Sequence, residues 1–204
     1  MRNPLALFIA AIAFAVGLYF GLQRAPAPLS LQNATVLEPA RAIAPFSLQS
    51  TRATTFDNAA LSGRWTLVFF GFTRCPDICP TTLQLLSDAR QALRDDFPDK
   101  ALPDILLVSV DPARDTIDAL QSYTAYFGDG VYGARAAEPE LARFTRDLGI
   151  VYQKVPLADD DYTMDHSAAI LLVGPEARLR AVFTPPIRRD DFVADLNTIL
   201  EDLT

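Results

Sequence analysis

The sequence predicts an α/β fold, a central mixed β-sheet flanked by helices, and three observations carry that prediction. Residues 67–70 (Leu67-Val68-Phe69-Phe70) form an apolar run of β-formers that leads through a short turn into a helix-patterned stretch. Residues 105–110 form a second unbroken apolar run, the pattern of a strand buried on both faces. Near the C-terminus, residues 168–173 and 179–183 flank Gly174-Pro175-Glu176, a hairpin signature followed by one more helical pattern. Strands alternating with helices and closing in a hairpin plus helix give a layered sheet of mixed direction.

The elements follow in chain order. Residues 46–49 and 54–56 suggest a short hairpin, and residues 65–70 a strand. The helix over 81–93 is amphipathic through Leu83, Leu86, Ala89 and Leu93. The buried strand over 105–110 is succeeded by a helix over 116–127, whose apolar positions are Ile117, Leu120, Tyr123, Tyr126 and Phe127. Pro139 opens a helix over 139–148, a strand is expected over 150–155, and a last helix over 191–203.

Ahead of this domain, residues 5–22 carry no charge. At ~1.5 Å per residue that stretch reaches about 27 Å, close to a hydrocarbon core of ~30 Å. The run exceeds a signal-peptide core, and its exit Ala25-Pro26-Ala27 is followed by Pro28, so an uncleaved anchor is expected. No cysteine lies near it for lipidation, and no arginine-rich amphipathic leader precedes it. The expected layout is a membrane anchor over 1–24, a Pro-rich periplasmic tether over 25–41 and a domain over 42–204. That corresponds to a single-pass protein of a bacterial inner membrane with its domain in the periplasm. The net charge of −7 and the absence of any basic cluster argue against nucleic acid and anionic lipid headgroups as partners.

The chain's 2 cysteines and its 1 histidine focus the chemistry. Cys75 and Cys79 fall within Cys75-Pro76-Asp77-Ile78-Cys79, between the strand and the helix. Residues at that spacing share a helix face about one turn, ~5.4 Å, apart. The positive helix start is expected to favour thiolate over thiol. Two soft donors so placed can chelate a soft metal or close a disulfide. A structural staple is the weaker option, because closing about five residues is worth only ~2 kcal/mol on chain-entropy grounds.

Three segments together resemble the Sco/SenC family of membrane-anchored copper chaperones that serve cytochrome c oxidase assembly. They are Gly71-Phe72-Thr73-Arg74-Cys75-Pro76-Asp77-Ile78-Cys79-Pro80, Val108-Ser109-Val110-Asp111-Pro112-Ala113-Arg114-Asp115-Thr116 and Asp165-His166-Ser167, the last expected to open a strand. The resemblance covers roughly residues 42–203 and implies a thioredoxin-like fold in which Cys75, Cys79 and His166 hold one copper ion, as Cu(I), Cu(II) or both. It also implies delivery to the copper-bearing oxidase subunit and traffic with other periplasmic copper chaperones or thiol reductases. Arg74 and Ile117 depart from the histidine and proline more usual there, at positions that are not ligands.

Donor chemistry agrees with that implication. Thiolates suit Cu(I), and an added imidazole makes the set acceptable to Cu(II). A closed zinc site would want a fourth protein ligand. Asp77 is expected as a helix-start acid, and Asp111, Arg114 and Asp115 as a loop ion pair and cap beside the site, with support of the ligands or partner docking as their alternative role. Residues 157–162 read as a solvated loop, one that would let His166 engage and release metal. The expected role is non-enzymatic. Its rival is a thiol–disulfide oxidoreductase, opposed by the longer cysteine spacing and by His166-Ser167 where a generic thioredoxin carries a cis-proline.

Overall fold

A computed structural model describes residues 4–22, 30–96 and 102–202, which fall into two compact units, Met1–Ser30 and Leu31–Thr204. The first holds α1 (Pro4–Leu22), whose described side chains, 8–19, are exposed. Among the described residues no helix is long and apolar enough to cross a membrane. Residues 25–29 of the expected tether lie outside the described residues.

The second unit is built on β1 (Ala34–Ala42), β2 (Ser47–Ser50), β3 (Phe56–Asp57), α2 (Asn58–Leu61), β4 (Thr66–Gly71), α3 (Ile78–Asp96), β5 (Asp104–Ser109) and α4 (Ile117–Ala125). It continues through β6 (Val131–Arg135), α5 (Glu140–Asp147), β7 (Tyr152–Pro156), β8 (Tyr162–His166), β9 (Ile170–Val173), β10 (Arg178–Phe183) and α6 (Arg189–Asp202). The main sheet runs β1-β10-β9-β4-β5-β6-β2-β3, and β7 pairs with β8 in a sheet of its own. Strands β4, β5 and β6 are parallel, whereas β9, β10, β1 and β2 each run antiparallel to their neighbours, so the sheet is mixed as predicted.

The two unbroken apolar runs are the two central strands. In β4 and β5 residues 67–70 and 105–108 are all buried, because helices cover both faces of a strand in this position. On one side α3 packs with α6; α4 lies over β6. Phe144 of α5 stacks at 4.5 Å from Phe46 and 5.9 Å from Phe70. Thr116 caps α4, accepting the Ala119 N–H at 3.1 Å, and Pro139 stands one residue before α5 as its N-cap instead of inside its first turn.

Several expectations need correction. Residues 34–41 of the expected tether belong to strand β1, paired with β10; the three N–H groups of Gln32, Asn33 and Ala34 are bound by the buried Asp195 carboxylate of α6. The strand expected over 150–155 is displaced to β7 and joins the small sheet, not the main one. Residues 157–161 form the tight turn of the β7–β8 hairpin, with Leu157 N–H bonded to the Asp161 carbonyl at 2.8 Å, and Tyr162 begins β8. His166 therefore closes a strand instead of opening one.

Candidate metal centre

The site lies past the carboxyl end of β4, where open α/β sheets place their ligands. Cys75 sits in the loop between β4 and α3, and Cys79 in the first turn of α3. The Cys79 backbone N–H points back to Cys75 Sγ at 3.4 Å, so that sulfur receives one of the unpaired donors of the helix start. His166 arrives from 87 positions further along the chain, its Nε2 3.5 Å from Cys79 Sγ. The thiol sulfurs and the imidazole nitrogen all lie within 4.8 Å of one another.

The imidazole is oriented by its surroundings. Its Nδ1 lies 3.1 Å from the Ser167 carbonyl, which can only accept, so Nδ1 carries a proton and Nε2 is the nitrogen turned toward the thiols. Phe69 and Phe72 stand edge-on to the ring, each with its centroid 6.0 Å away. The two thiols differ. Cys75 is half-buried, while Cys79 is fully buried. Burial pushes the Cys79 thiol well above its ordinary value, and Cys75 beside it adds to the rise. At Cys79 burial therefore opposes the thiolate that the helix start is expected to favour.

Gly71 makes room for this arrangement. A Cβ there would meet Cys79 Sγ at 2.8 Å and the Leu107 and Phe69 side chains at 3.2 Å. The loop is then fastened to β5 by Asp115, which is fully buried and accepts from Ser109 Oγ and Thr73 Oγ1, both at 2.6 Å, and from Thr73 N–H at 3.1 Å. Asp115 is therefore a loop anchor, and the cap of α4 is its neighbour Thr116.

Asp111 and Arg114 form the expected ion pair at 2.5 Å, and they reach further, to Tyr162 of β8. Asp77 is exposed at the start of α3, where its carbonyl accepts the Thr81 N–H at 3.1 Å and its carboxylate the Thr81 hydroxyl at 3.3 Å. Among the described residues none of Asp77, Asp111, Arg114 or Asp115 joins the group of donor atoms. Gly71, Thr73 and Ser109 lie within the first two motifs but the sequence does not single them out as site residues, and Tyr162 lies outside all three, four positions before His166.

The fold and these three donors define a thioredoxin-like protein that presents two thiols and an imidazole on one face. The SCO1/SenC family model matches residues 34–201, and the chain belongs to that family. It is 34% identical over 182 residues to the Stutzerimonas stutzeri "Putative copper-binding protein", covering 85% of this chain and 84% of that one. To the human "Protein SCO1 homolog, mitochondrial" it is 31% identical over 157 residues, 76% of this chain but only 51% of that protein, so it spans about half of that relative's length. The structure of Arabidopsis thaliana ScoI with copper bound superposes with a TM-score of 0.73 at 28% identity, covering 78% of this chain and 97% of that one.

Proposed function

We propose that this chain is a copper carrier: it holds one copper ion through Cys75, Cys79 and His166 and hands that cargo to a cytochrome c oxidase subunit during assembly. The observation that carries the proposal is the convergence of two sulfurs and one imidazole nitrogen within 4.8 Å of one another, a three-donor set suited to one soft ion. Two thiolates and one imidazole suit both copper oxidation states. Loading the site displaces the Cys79 proton. Release proceeds by ligand exchange in which Cys75, the more accessible thiol, gives way before the fully buried Cys79. Residues 5–22 serve as the membrane anchor in this proposal, with the domain on the periplasmic side and the acceptor subunit as its partner.

The test compares two substitutions in cells under limiting copper. His166→Ala is expected to weaken chiefly Cu(II), to leave a two-thiolate Cu(I) complex, and to lower oxidase activity; Cys75→Ser is expected to remove tight binding of both ions. Wild-type oxidase activity in His166→Ala, with a loss in Cys75→Ser, would favour the thiol–disulfide oxidoreductase instead. The anchor is tested by fractionation: a soluble form beginning near Ala27 or Leu29 would show a cleaved signal peptide.

A further inference from the structure

Among the described residues the β7–β8 hairpin that carries His166 pairs with no strand of the main sheet, so side-chain contacts set where the imidazole points. At its base the two strand ends are joined by Ser167 N–H to the Val151 carbonyl at 2.9 Å and Val151 N–H to Ser167 Oγ at 3.1 Å, and the hydroxyl of Tyr152, the residue paired with His166, donates to the Glu138 carboxylate outside the hairpin. At its far end Lys154 Nζ of β7 lies over the Tyr162 ring at 3.6 Å, and Arg114 ties that end to the loop after β5. Arg114, in the turn after β5, donates Nη1 to the Tyr162 carbonyl at 2.9 Å and to Asp161 Oδ1 at 3.1 Å, and its guanidinium lies over the Tyr162 ring at 3.6 Å. Its Nε donates to Asp111 Oδ2 at 2.5 Å, and the Tyr162 hydroxyl donates to Asp111 Oδ1 at 2.8 Å.

Each oxygen of one buried carboxylate thus takes one donor, the first from the loop and the second from the hairpin. Asp111 is 2% exposed, and a buried carboxylate that loses such partners is strongly penalised, so the arrangement favours staying closed. Tyr162 and His166 are even-numbered positions of the same strand and share one face of the hairpin. Fixing the Tyr162 side chain therefore fixes the rotation of β8 that aims His166 Nε2.

Building on the copper-carrier proposal, we infer that Asp111, Arg114 and Tyr162 form a latch whose closure holds His166 over the thiols and sets how long the imidazole stays on the cargo ion. Closed, the site offers three donors. Open, the hairpin leaves the two cysteines, the set that retains Cu(I). Arg114 is a positioning residue here and touches no metal.

The experiment uses the full chain. Arg114→Ala should speed Cu(II) dissociation, followed by loss of the thiolate-to-copper absorption, by about 10- to 100-fold, because it removes charge-assisted bonds. Nitrogen coupling should weaken in the residual Cu(II) resonance spectrum, while Cu(I) affinity should change by less than about threefold. In a His166→Ala background the same substitution should add nothing, since the cycle isolates an effect that acts only through the imidazole. No acceleration in the parent chain, or equal acceleration in the His166→Ala background, overturns the latch. Tyr162→Phe keeps the ring under the guanidinium and removes only the hydroxyl; it should act in the same direction, more weakly, and it takes over if Arg114→Ala does not fold.

A metal-free measurement separates this inference from the function it rests on. In the apo chain Arg114→Ala should raise deuterium exchange at Tyr152–Pro156 and Tyr162–His166 by about tenfold while residues 67–70 and 105–108 keep their protection. Unchanged hairpin exchange refutes the latch. A parent chain that binds no copper refutes the carrier proposal alone.

Discussion

Gly71→Ala is the sharpest single perturbation of the proposed copper centre. The backbone at Gly71 is ordinary strand, so alanine is acceptable there on conformational grounds, and the whole effect comes from one added methyl. That Cβ lands 2.8 Å from Cys79 Sγ, and reaching ordinary contact at 3.4 Å or more requires the sulfur to retreat by about 0.6 Å. Leu107 and Phe69 crowd the same methyl at 3.2 Å and block retreat of the alanine itself. Overpacking of this kind costs about 1–3 kcal/mol, or about 2–12 °C in melting temperature for a domain of this size. Metal ligands tolerate about 0.2 Å of misplacement, so copper affinity should fall by about 10- to 100-fold. Calorimetry and competition with a copper chelator read the two effects. Adding Cys79→Ala removes the sulfur, and in that background Gly71→Ala should cost less than it does alone, since the two residues share one contact. A Gly71→Ala protein with parental melting temperature and parental copper affinity would refute the account.

Three further outcomes are expected from the contacts around the thiols and their loop. Cys79 is buried and holds its proton above the ordinary range, so copper must displace that proton, and Cu(I) affinity should rise by about tenfold per pH unit for each thiol proton released; an affinity that stays flat between about pH 6 and about pH 8, corrected for the chelator's own protonation, would contradict this. The same shift fixes a stability trend in the apo chain: above about pH 8.5 the unfolded state sheds a proton that the folded state retains, so stability should decline with rising pH, and Cys79→Ala should flatten that decline. Asp115→Ala leaves the Ser109 hydroxyl and both Thr73 donors without their acceptor and should lower stability by about 3 kcal/mol or more in denaturant titration, with copper affinity falling alongside; unchanged copper affinity in the folded variant would show that the loop holds Cys75 without this anchor.

The parts of this fold that could be read from the sequence are those where one chemical signal dominates. Central strands β4 and β5 are apolar at every position because both faces are covered, and α3 shows its buried stripe in Leu83, Leu86, Ala89 and Leu93. Strand β6 was hidden by Gly133 and Ala134: it is crossed by α4 so closely that a Cβ on Gly133 would meet Leu120 at 2.8 Å, and small residues there look like a loop. Strand β1 was hidden by Pro39 and by a register shift between Val36 and Arg41, which break the alternation that would distinguish it from a tether. The hairpin β7–β8 is half-exposed along its length, so its pattern is weak, and acidic residues at its turn suggest a solvated loop.

The candidate centre divides along the same line. Cys75 and Cys79 are local, and their meeting is set by spacing on one loop and one helical turn. His166 is not local: it reaches Cys79 because β9 runs antiparallel beside β4, with Ile170 opposite Phe69, which returns the chain to the end of β4 where the thiols sit. No spacing rule contains that step; only the sheet order does. The environment of each thiol is likewise a property of the assembled molecule. A helix start alone argues for thiolates at both cysteines, yet the packing that sets Phe72 and Gly71 against Cys79 buries it completely and opposes the thiolate there. What results is a pair of unequal thiols, one open to a partner and one sealed. Ordered exchange of a bound ion needs that inequality, because a leaving sequence requires the first ligand to be reachable while the second still holds.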